Sequence, residues 1–413
     1  MRQSTPAVPD TIAAAARILE QLAVGSVSDC VQFWHDVESV TLPLVTGVAG
    51  QPDQRDVTFV WRSAASLQGV YLRLNRITDK ERVGQGLMNR LPSSDIWWLT
   101  LRLPASYCGS YTMTEIPPDT APEALSQLGT RFTPFTGQPD SLNRQPGITV
   151  RGGGRESVLA LDRAPAQEEW RGDTQCGRGE LVTWHPVIAG QTRRVRLYLP
   201  DVPDSVPLGL LVLPDAETWF DYLGVSGAID AAIDSGRIAP LAVLGIDNID
   251  ETERSAILGG RSELVQNIAE RLIPGVRAKY PDRAWAGRAR TVLAGQSLGG
   301  VTALMAARHA PETFGAVLCH SPSMWWTPDG SSRPSLFSER DDSWVSEHLL
   351  SSPPDSVRIR LCVGSLEGST VPHVRQLHQR LCAAGVESHC VVYTGGHDYA
   401  WWRGALIDGI AWL

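Results

Sequence analysis

The sequence lacks the features that define several classes of protein. None of its apolar runs approaches the roughly 18 to 20 residues that cross a bilayer, so we expect no membrane-spanning helix. The 37 lysines and arginines are outnumbered by 45 aspartates and glutamates, and a formal charge of −8 argues against a nucleic-acid-binding protein, which needs a basic face. An anionic ligand would therefore require a local basic pocket.

Paired cysteines are also missing. The seven cysteines are odd in number, scattered, and include no C-x-x-C pair, so the sequence predicts neither a disulfide framework nor a zinc site. The N-terminal segment has no secretory-signal pattern, because Arg17 and Glu20 interrupt its alanine-rich stretch. We therefore expect a reducing, cytoplasmic location.

The 413 residues are enough for two or three domains, and the pattern changes along the chain. After a predicted amphipathic helix at 11–24, short β-rich runs separated by turn residues occupy 57–115. They predict that residues 1–150 form a β-sandwich of immunoglobulin-like type, although the spacing also fits another antiparallel arrangement. Residues 151–180 begin with turn-forming glycines and predict an exposed linker.

Residues 181–413 show a different pattern, in which short aliphatic runs alternate with helical stretches. A hairpin is predicted at 181–199, and buried strands at 208–213, 241–246, 291–294, 316–318, 357–363 and 389–393. Helices are predicted at 262–279, 298–309 and 371–384. Such alternation is typical of right-handed βαβ crossovers, so we predict an α/β domain with a largely parallel sheet.

The motif Gly295-Gln296-Ser297-Leu298-Gly299 has the form G-x-S-x-G and lies directly between a predicted strand and a predicted helix. In this context the motif forms a sharp turn that exposes the serine hydroxyl at the end of the strand. We predict that Ser297 is a nucleophile and that the Leu298 backbone N–H faces a developing oxyanion. The alternative is an ordinary glycine-rich turn.

A serine nucleophile needs a base, which in this fold comes late in the chain. His397 follows the last predicted strand and two glycines, so we predict that it is the base, with His320 as its rival. Glu367 follows the strand at 357–363 and is the candidate orienting acid, or else a solvated loop carboxylate. A Ser-His dyad, with water or a backbone carbonyl holding the imidazole, stays open.

Two further groups complete the predicted site. The second oxyanion donor is expected in the loop after the strand at 208–213, near the Glu217 N–H. Trp325 and Trp326 follow another strand, where ligands of open α/β sheets bind, and could stack on an aromatic substrate or pack in the core.

Several motifs in both halves of the chain are similar to those of one known protein family. They are Val57-Thr58-Phe59-Val60-Trp61-Arg62, Asn75-Arg76-Ile77-Thr78-Asp79-Lys80, Met88 to Leu91, Gly109-Ser110-Tyr111, Asp140-Ser141-Leu142-Asn143, the serine motif, Ser321-Pro322-Ser323-Met324-Trp325-Trp326 and Gly395-Gly396-His397-Asp398. Together they resemble the enterochelin (enterobactin) esterases, two-domain enzymes that hydrolyse ferric catecholate siderophores in the bacterial cytoplasm. The resemblance covers nearly the whole chain.

This resemblance implies an N-terminal β-sandwich followed in the chain by an α/β-hydrolase domain, with Ser297 as the nucleophile and His397 as the catalytic histidine. Some members of the family rely on a Ser-His dyad, so the resemblance leaves Glu367 undecided. The family has Asp-Gly where this chain has Asp215-Ala216, which affects the placement of the oxyanion donor.

An arginine after the second central strand is also typical of the family, and Arg254 fits it by position. The family has Glu-Leu where Ile257-Leu258 stands here, so Arg261, before Glu263-Leu264, is an alternative. A ferric tricatecholate is anionic and aromatic, and arginine and tryptophan would suit it. Arginines of the β-rich domain such as Arg62 or Arg76 could add to the cleft.

The predicted function is a cytoplasmic serine esterase that cleaves the trilactone of a ferric enterobactin-type siderophore. Fe³⁺ enters with the substrate, and no resident metal or organic cofactor is implied. The alternatives are a generic carboxylesterase or acyltransferase of the same fold, or a non-catalytic binder of siderophores or glycans.

Overall fold

The structure is a computed structural model that describes residues 8–130, 132–150, 152–171 and 176–413. The chain divides into two compact units. The first contains the described residues up to Thr149, the segment Gly153–Pro165 and the distant segment Thr394–Ala400. The second contains most of the rest, including the run up to Tyr393 and the C-terminal Trp401–Leu413.

The first unit contains two antiparallel sheets of four strands each. Their strands are β1 (Leu44–Val48), β2 (Gln51–Arg62), β3 (Gly69–Leu74), β4 (Asn89–Arg90), β5 (Ile96–Pro104), β6 (Cys108–Ile116), β7 (Ile148–Thr149) and β8 (Arg155–Ala160). One sheet has the order β1-β2-β5-β4 and the other β3-β6-β8-β7. The Phe59 and Tyr111 rings meet edge to face between β2 and β6, at 5.2 Å, so the two sheets face each other as a sandwich. The predicted β-sandwich is confirmed.

Helices α1 (Val8–Val24), α2 (Cys30–Ser39) and the short α3 (Pro122–Leu125) complete this unit. In α1 the apolar Ala14, Ile18 and Leu22 recur every four residues and share one core with Phe33 of α2. Helix α1 confirms the prediction at 11–24. Helix α2 has no counterpart in the prediction, because its ten residues are too few for a clear period.

The predicted linker at 151–180 is wrong over part of its length. Residues 155–160 form β8, which pairs with β6 and buries Val158 and Leu159. Trp170 is buried against Trp219, with ring centroids 6.2 Å apart. The apolar run of β8 is short and follows a glycine triplet, so the turn signals dominate the sequence pattern. Residues 151 and 172–175 of the predicted linker lie outside the described residues.

The second unit is built on an eight-stranded sheet and a two-stranded hairpin. The strands are β9 (Glu180–Trp184), β10 (Val187–Ile188), β11 (Gln191–Thr192), β12 (Val195–Leu199), β13 (Gly209–Pro214), β14 (Leu241–Ile246), β15 (Thr291–Gln296), β16 (Ala316–His320), β17 (Arg358–Gly364) and β18 (Ser388–Tyr393). The large sheet has the order β18-β17-β16-β15-β13-β14-β12-β9. In the described part of this sheet, β12 pairs antiparallel with β14 and with β9, and all other neighbouring strands are parallel. This is the α/β-hydrolase arrangement, as predicted.

Helices lie between these strands in the chain. They are α4 (Val225–Asp234), α5 (Glu251–Ile257), α6 (Glu263–Asn267), α7 (Ile273–Lys279), α8 (Leu298–His309), α9 (Trp344–Leu350), α10 (Thr370–Ala383) and α11 (Tyr399–Ala411). A π-helical turn at Ile268–Leu272 joins α6 to α7, which confirms the helix predicted at 262–279. The most buried helix is α8, which packs on β15 and β16. In the part of the chain that the structure describes, no helix is long and apolar enough to span a bilayer.

Candidate active site

Ser297 occupies a strained turn between β15 and α8. Its φ of 57° and ψ of −120° lie in a region that residues with a side chain rarely adopt. A Cβ on Gly295 would lie 2.1 Å from the Gly299 carbonyl oxygen, so only glycine permits strand and helix to approach this closely. This is the nucleophile-elbow geometry that the G-x-S-x-G motif predicts, and the reading as an ordinary turn is wrong.

The elbow is held by its neighbour, the turn after β16. The Ser297 N–H donates to the His320 carbonyl at 3.0 Å, and the Ser323 N–H donates to the Ser297 carbonyl at 3.1 Å. The hydroxyl oxygens of Ser297 and Ser323 are 3.3 Å apart. Leu298 begins α8, and among the described residues its N–H has no hydrogen-bond acceptor. That suits the predicted role as an oxyanion donor, which stays a prediction.

The loop after β13 is fixed by a buried carboxylate. Asp215 is fully buried with a φ of 57°. It accepts hydrogen bonds from Nε and Nη2 of Arg254, from Nε2 of Gln296 at 2.8 Å and from Nδ2 of Asn248 at 2.6 Å. Gln296 directly precedes Ser297 in the chain. One carboxylate therefore ties the expected oxyanion loop to the nucleophile elbow.

Glu217 lies two residues further on in the same loop. Its carboxylate accepts hydrogen bonds from the Asn248 N–H at 3.0 Å and from Asn248 Nδ2 at 2.8 Å. Burial and the neighbouring Asp215 raise the pKa of the Glu217 carboxyl. The Glu217 N–H itself bonds the carboxylate of the same residue, which acts against that rise. The oxyanion role of that N–H stays a prediction.

The candidate substrate arginines occupy different surroundings. Arg254, in α5, is buried and is paired with Asp215, so part of its guanidinium is engaged by the protein. Arg261 is exposed and lies over the Trp326 ring at 5.7 Å. In the first unit, Arg62 donates to Asp95 at 2.8 Å, whereas Arg76 is half-buried in the turn after β3. Substrate binding by any of them stays a prediction.

Glu367 is enclosed by hydrogen-bond donors. It is 5% exposed, and its Oε1 accepts from the Ser321 hydroxyl at 2.5 Å and from the Gly364 N–H at 2.7 Å. The Trp402 indole N–H in turn donates to the Ser321 hydroxyl at 2.9 Å. The interpretation of Glu367 as a solvated loop carboxylate is therefore wrong. An oriented, buried acid suits the third member of a triad, and that role stays a prediction.

The two candidate histidines differ sharply. His320 is fully buried, its ring meets the Trp401 ring at 6.5 Å, and burial, with the nearby Arg360 charge, lowers its pKa to about 3. A fully enclosed imidazole is out of reach of a substrate or an attacking water, so His320 does not suit the role of the base. His397 is half-buried in the segment Thr394–Ala400, which belongs to the first unit.

The two tryptophans are also distinct. Trp326 is 6% exposed, and its ring meets that of Trp344 edge to face at 5.0 Å. A Cβ on Gly260 would lie 2.3 Å from the Trp326 ring, so backbone packs directly on it. Trp326 is therefore a core residue, and the stacking prediction for it is wrong. Trp325 is partly exposed and keeps ring surface available, so stacking on a substrate stays a prediction for Trp325.

Sequence reasoning missed the polar residues that hold the candidate catalytic groups. Gln296, Asn248 and Ser321 each contact one of those groups or the loop that carries it. Only chain position could have suggested them, because Gln296 lies inside the serine motif and Ser321 directly follows a strand. Within the described ranges, no three His, Cys, Asp or Glu side chains gather as a metal site.

Family comparisons assign both parts of the chain. Residues 187–413 match the family model described as "Putative esterase", and residues 56–170 match the one described as "Enterochelin esterase, N-terminal". The first match covers most of the second unit and the segment Thr394–Ala400 of the first, and it contains the Ser297 elbow. The second match covers the strands of the sandwich from within β2 onward.

Individual relatives cover nearly the whole chain. An iron(III) salmochelin esterase of Escherichia coli is 64% identical over 400 residues, with 97% of each chain covered. An iron(III) enterobactin esterase of Dickeya dadantii is 28% identical, with 92% of each chain covered. Among solved structures, the enterobactin esterase of Shigella flexneri in the presence of enterobactin has a TM-score of 0.77 at 26% identity, and covers 94% of this chain and 98% of that one.

Proposed function

Because the chain belongs to the enterochelin esterase family, we propose that it is a serine esterase that hydrolyses the ester bonds of a ferric catecholate siderophore. The observation that carries the proposal is the strained Ser297 elbow, since such a turn persists only where its surroundings enforce it. The 64% identical relative is named for iron(III) salmochelin, which makes that siderophore the first substrate to test. Iron(III) enterobactin, named in the more distant relatives, is the second.

The proposed reaction has two halves. In acylation, Ser297 Oγ attacks the ester carbonyl while His397 takes the hydroxyl proton, and the intermediate collapses as His397 returns that proton to the leaving alcohol. In deacylation, water gives a proton to His397 as it attacks the acyl-enzyme, and His397 returns that proton to Ser297 Oγ as the carboxylic acid leaves. Glu367 orients the imidazole of His397.

Electrostatic stabilisation comes from backbone donors. The Leu298 N–H, at the start of α8, and the N–H of Glu217 hold the negative oxygen of each tetrahedral intermediate. Asp215 and its partners keep the second donor in place relative to the elbow. Fixed donors need no rearrangement as charge develops, which is the source of their catalytic effect.

The substrate brings its own iron, and no resident metal or cofactor takes part. Its aromatic rings would stack on Trp325, and its negative charge would be met by Arg254 or Arg261. Opening the trilactone separates the catecholate arms, which weakens the hold on Fe³⁺ and allows iron release in the cytoplasm.

A generic carboxylesterase or acyltransferase remains the second candidate, since the fold alone does not specify a substrate. A non-catalytic binding protein is disfavoured, because such a protein has no need of a strained serine.

The deciding experiment is hydrolysis of iron(III) salmochelin and iron(III) enterobactin, followed by chromatography of the dihydroxybenzoylserine products. Wild type is compared with Ser297→Ala and with the control Ser235→Ala, whose hydroxyl bonds a helix carbonyl in α4. We expect cleavage by wild type and the control, and none by Ser297→Ala. Cleavage by Ser297→Ala would refute the nucleophile. Failure of wild type, with an aryl ester still hydrolysed, would favour the generic esterase.

A further inference from the structure

The segment Thr394–Ala400, which carries His397, belongs to the first unit, while the chain directly before and directly after it belongs to the second. It follows β18 and runs into the first turn of α11, and both of these elements otherwise belong to the second unit. Its own contacts place it in the first unit. The candidate base His397 is thus held by contacts within the first unit.

Both ends of the segment are bonded to the start of β6 and the turn before it. The Cys108 N–H donates to the Thr394 carbonyl at 2.9 Å, and the hydroxyls of Ser106 and Thr394 are 2.7 Å apart. At the other end, Cys108 Sγ lies 3.4 Å from the Ala400 carbonyl. A loop closed at both ends by one strand has little freedom to drift.

Asp398, the residue after His397, makes the innermost attachment. It is 4% exposed. Its Oδ2 accepts from the Ser110 N–H of β6 at 2.6 Å, and its Oδ1 accepts from the Ala400 N–H at 2.8 Å. Within the first unit, the carboxylate therefore bonds both β6 and the Ala400 N–H, and His397 directly precedes it in the chain.

The turn after β3 contacts the same segment from another side. A Cβ on Gly396 would lie 2.1 Å from Asn75 Oδ1 and 2.2 Å from Arg76 Cγ. Asn75 Nδ2 also reaches the His397 carbonyl at 3.5 Å, and the Tyr107 hydroxyl holds the Asn75 carbonyl at 2.8 Å. Glycine at 396 is thus what allows His397 to lie against this turn.

We propose that Asp398 is a positioning residue for His397, because its carboxylate fixes the segment Thr394–Ala400 to β6 within the first unit. The inference rests on the proposed role of His397 as the base. Displacing a reacting group by about 1 Å can cost about 100-fold in rate, so a loosened loop would slow catalysis without weakening substrate binding.

The test compares Asp398→Ala with Asp140→Ala in the full chain. Asp140 is a matched control, because it is equally buried in the same unit and accepts from the Leu142 N–H at 2.9 Å and the Tyr111 hydroxyl at 2.8 Å. For Asp398→Ala we expect kcat to fall about 10- to 100-fold with KM within about threefold. Asp398→Asn, which keeps one acceptor oxygen, should recover part of kcat. Asp140→Ala should keep kcat at a temperature where it is folded.

A fluorophosphonate probe that labels an activated serine gives a readout independent of the siderophore. If the siderophore proposal fails, labelling of wild type still reports on His397, and Asp398→Ala should label at least about tenfold more slowly. Gly396→Ala should do the same, whereas Gly47→Ala, where a Cβ meets open space, should not. Labelling at the wild-type rate by folded Asp398→Ala, or an equal loss in Asp140→Ala, would overturn the proposal.

Discussion

Arg254 donates two hydrogen bonds to Asp215, one to each carboxylate oxygen, and both side chains are buried. The same carboxylate binds Gln296, the residue before the nucleophile. Arg254 was predicted from the sequence as a ligand for the substrate's negative charge. Its first partner is instead a carboxylate of the protein, so its removal should affect the order of the site as well as its charge.

Arg254→Leu should lower the free energy of unfolding by about 3 to 5 kcal/mol, because a buried carboxylate loses its charged partner. Urea unfolding measures this. The control is Arg380→Leu, since Arg380 pairs with Glu347 at the exposed surface and should contribute about 1 kcal/mol or less. Among steady-state constants, a fall in kcat would indicate positioning and a rise in KM alone would indicate substrate binding. Equal losses of stability in the two variants would contradict the structural account.

Gly295→Ala should disrupt the elbow, since its Cβ would collide with the Gly299 backbone at 2.1 Å. We expect a lower melting temperature and loss of nearly all esterase activity. Gly275→Ala serves as the control, because a Cβ there meets nothing within 4 Å on helix α7. That control should be neutral or more stable by about 0.5 to 1 kcal/mol. An active Gly295→Ala enzyme would argue against the turn as described.

Glu367→Gln distinguishes a triad from a dyad. If Glu367 orients the base, kcat should fall by about 100-fold or more while KM changes little. Ser321→Ala, which removes a donor to Glu367, should show a smaller loss in the same direction. Glu347→Gln, on the exposed face of α9, is the control. A Glu367→Gln enzyme within about threefold of wild type would establish the dyad.

Substitution of Trp325 should weaken substrate binding, whereas substitution of Trp326 should lower the stability of the fold. Trp325→Ala should raise KM for the ferric siderophore and leave the melting temperature nearly unchanged, because the ring is partly exposed. Trp326→Ala should cost about 3 to 5 kcal/mol of stability, since it empties a packed core position. Isothermal titration with the Ser297→Ala enzyme and urea unfolding provide the two measurements. The reverse pattern would refute the assignment.

The buried His320 should make the free energy of unfolding depend on pH. Its pKa of about 3 in the folded protein lies below its ordinary value of 6.5, so between these pH values the unfolded chain binds a proton that the folded chain does not. Stability should therefore fall as pH drops through this window, by up to about 1.4 kcal/mol per pH unit from this group. Urea unfolding at pH 7, 5.5 and 4.5 should show a shallower dependence in His320→Leu. An unchanged dependence would mean that His320 is not the source.

The buried strands of the second unit could be predicted closely because they are uninterrupted aliphatic runs, whereas helices α4, α5, α9 and α11 were not predicted. The sharp turn at Ser297 could be predicted because its motif stands between such a run and a helix. The partners of Asp215 could not, because Asn248, Arg254 and Gln296 are 33, 39 and 81 positions away and meet only in the fold. Trp326 shows the same limit of sequence-based prediction, because residue type alone does not tell a tryptophan that packs in the core from one that binds a ligand.

The attachment of Thr394–Ala400 to β6 bears on how such a protein can diverge. Domains joined only by a tether can be exchanged between relatives as independent pieces. Here the bonds from Ser106, Cys108 and Ser110 end on residues encoded nearly 300 positions later. A recombination that replaced the N-terminal half would keep the histidine but change the strand that holds it. We therefore expect the two halves of the chain to be inherited together. A working chimera would need residues at 106–110 that match those of the segment Thr394–Ala400.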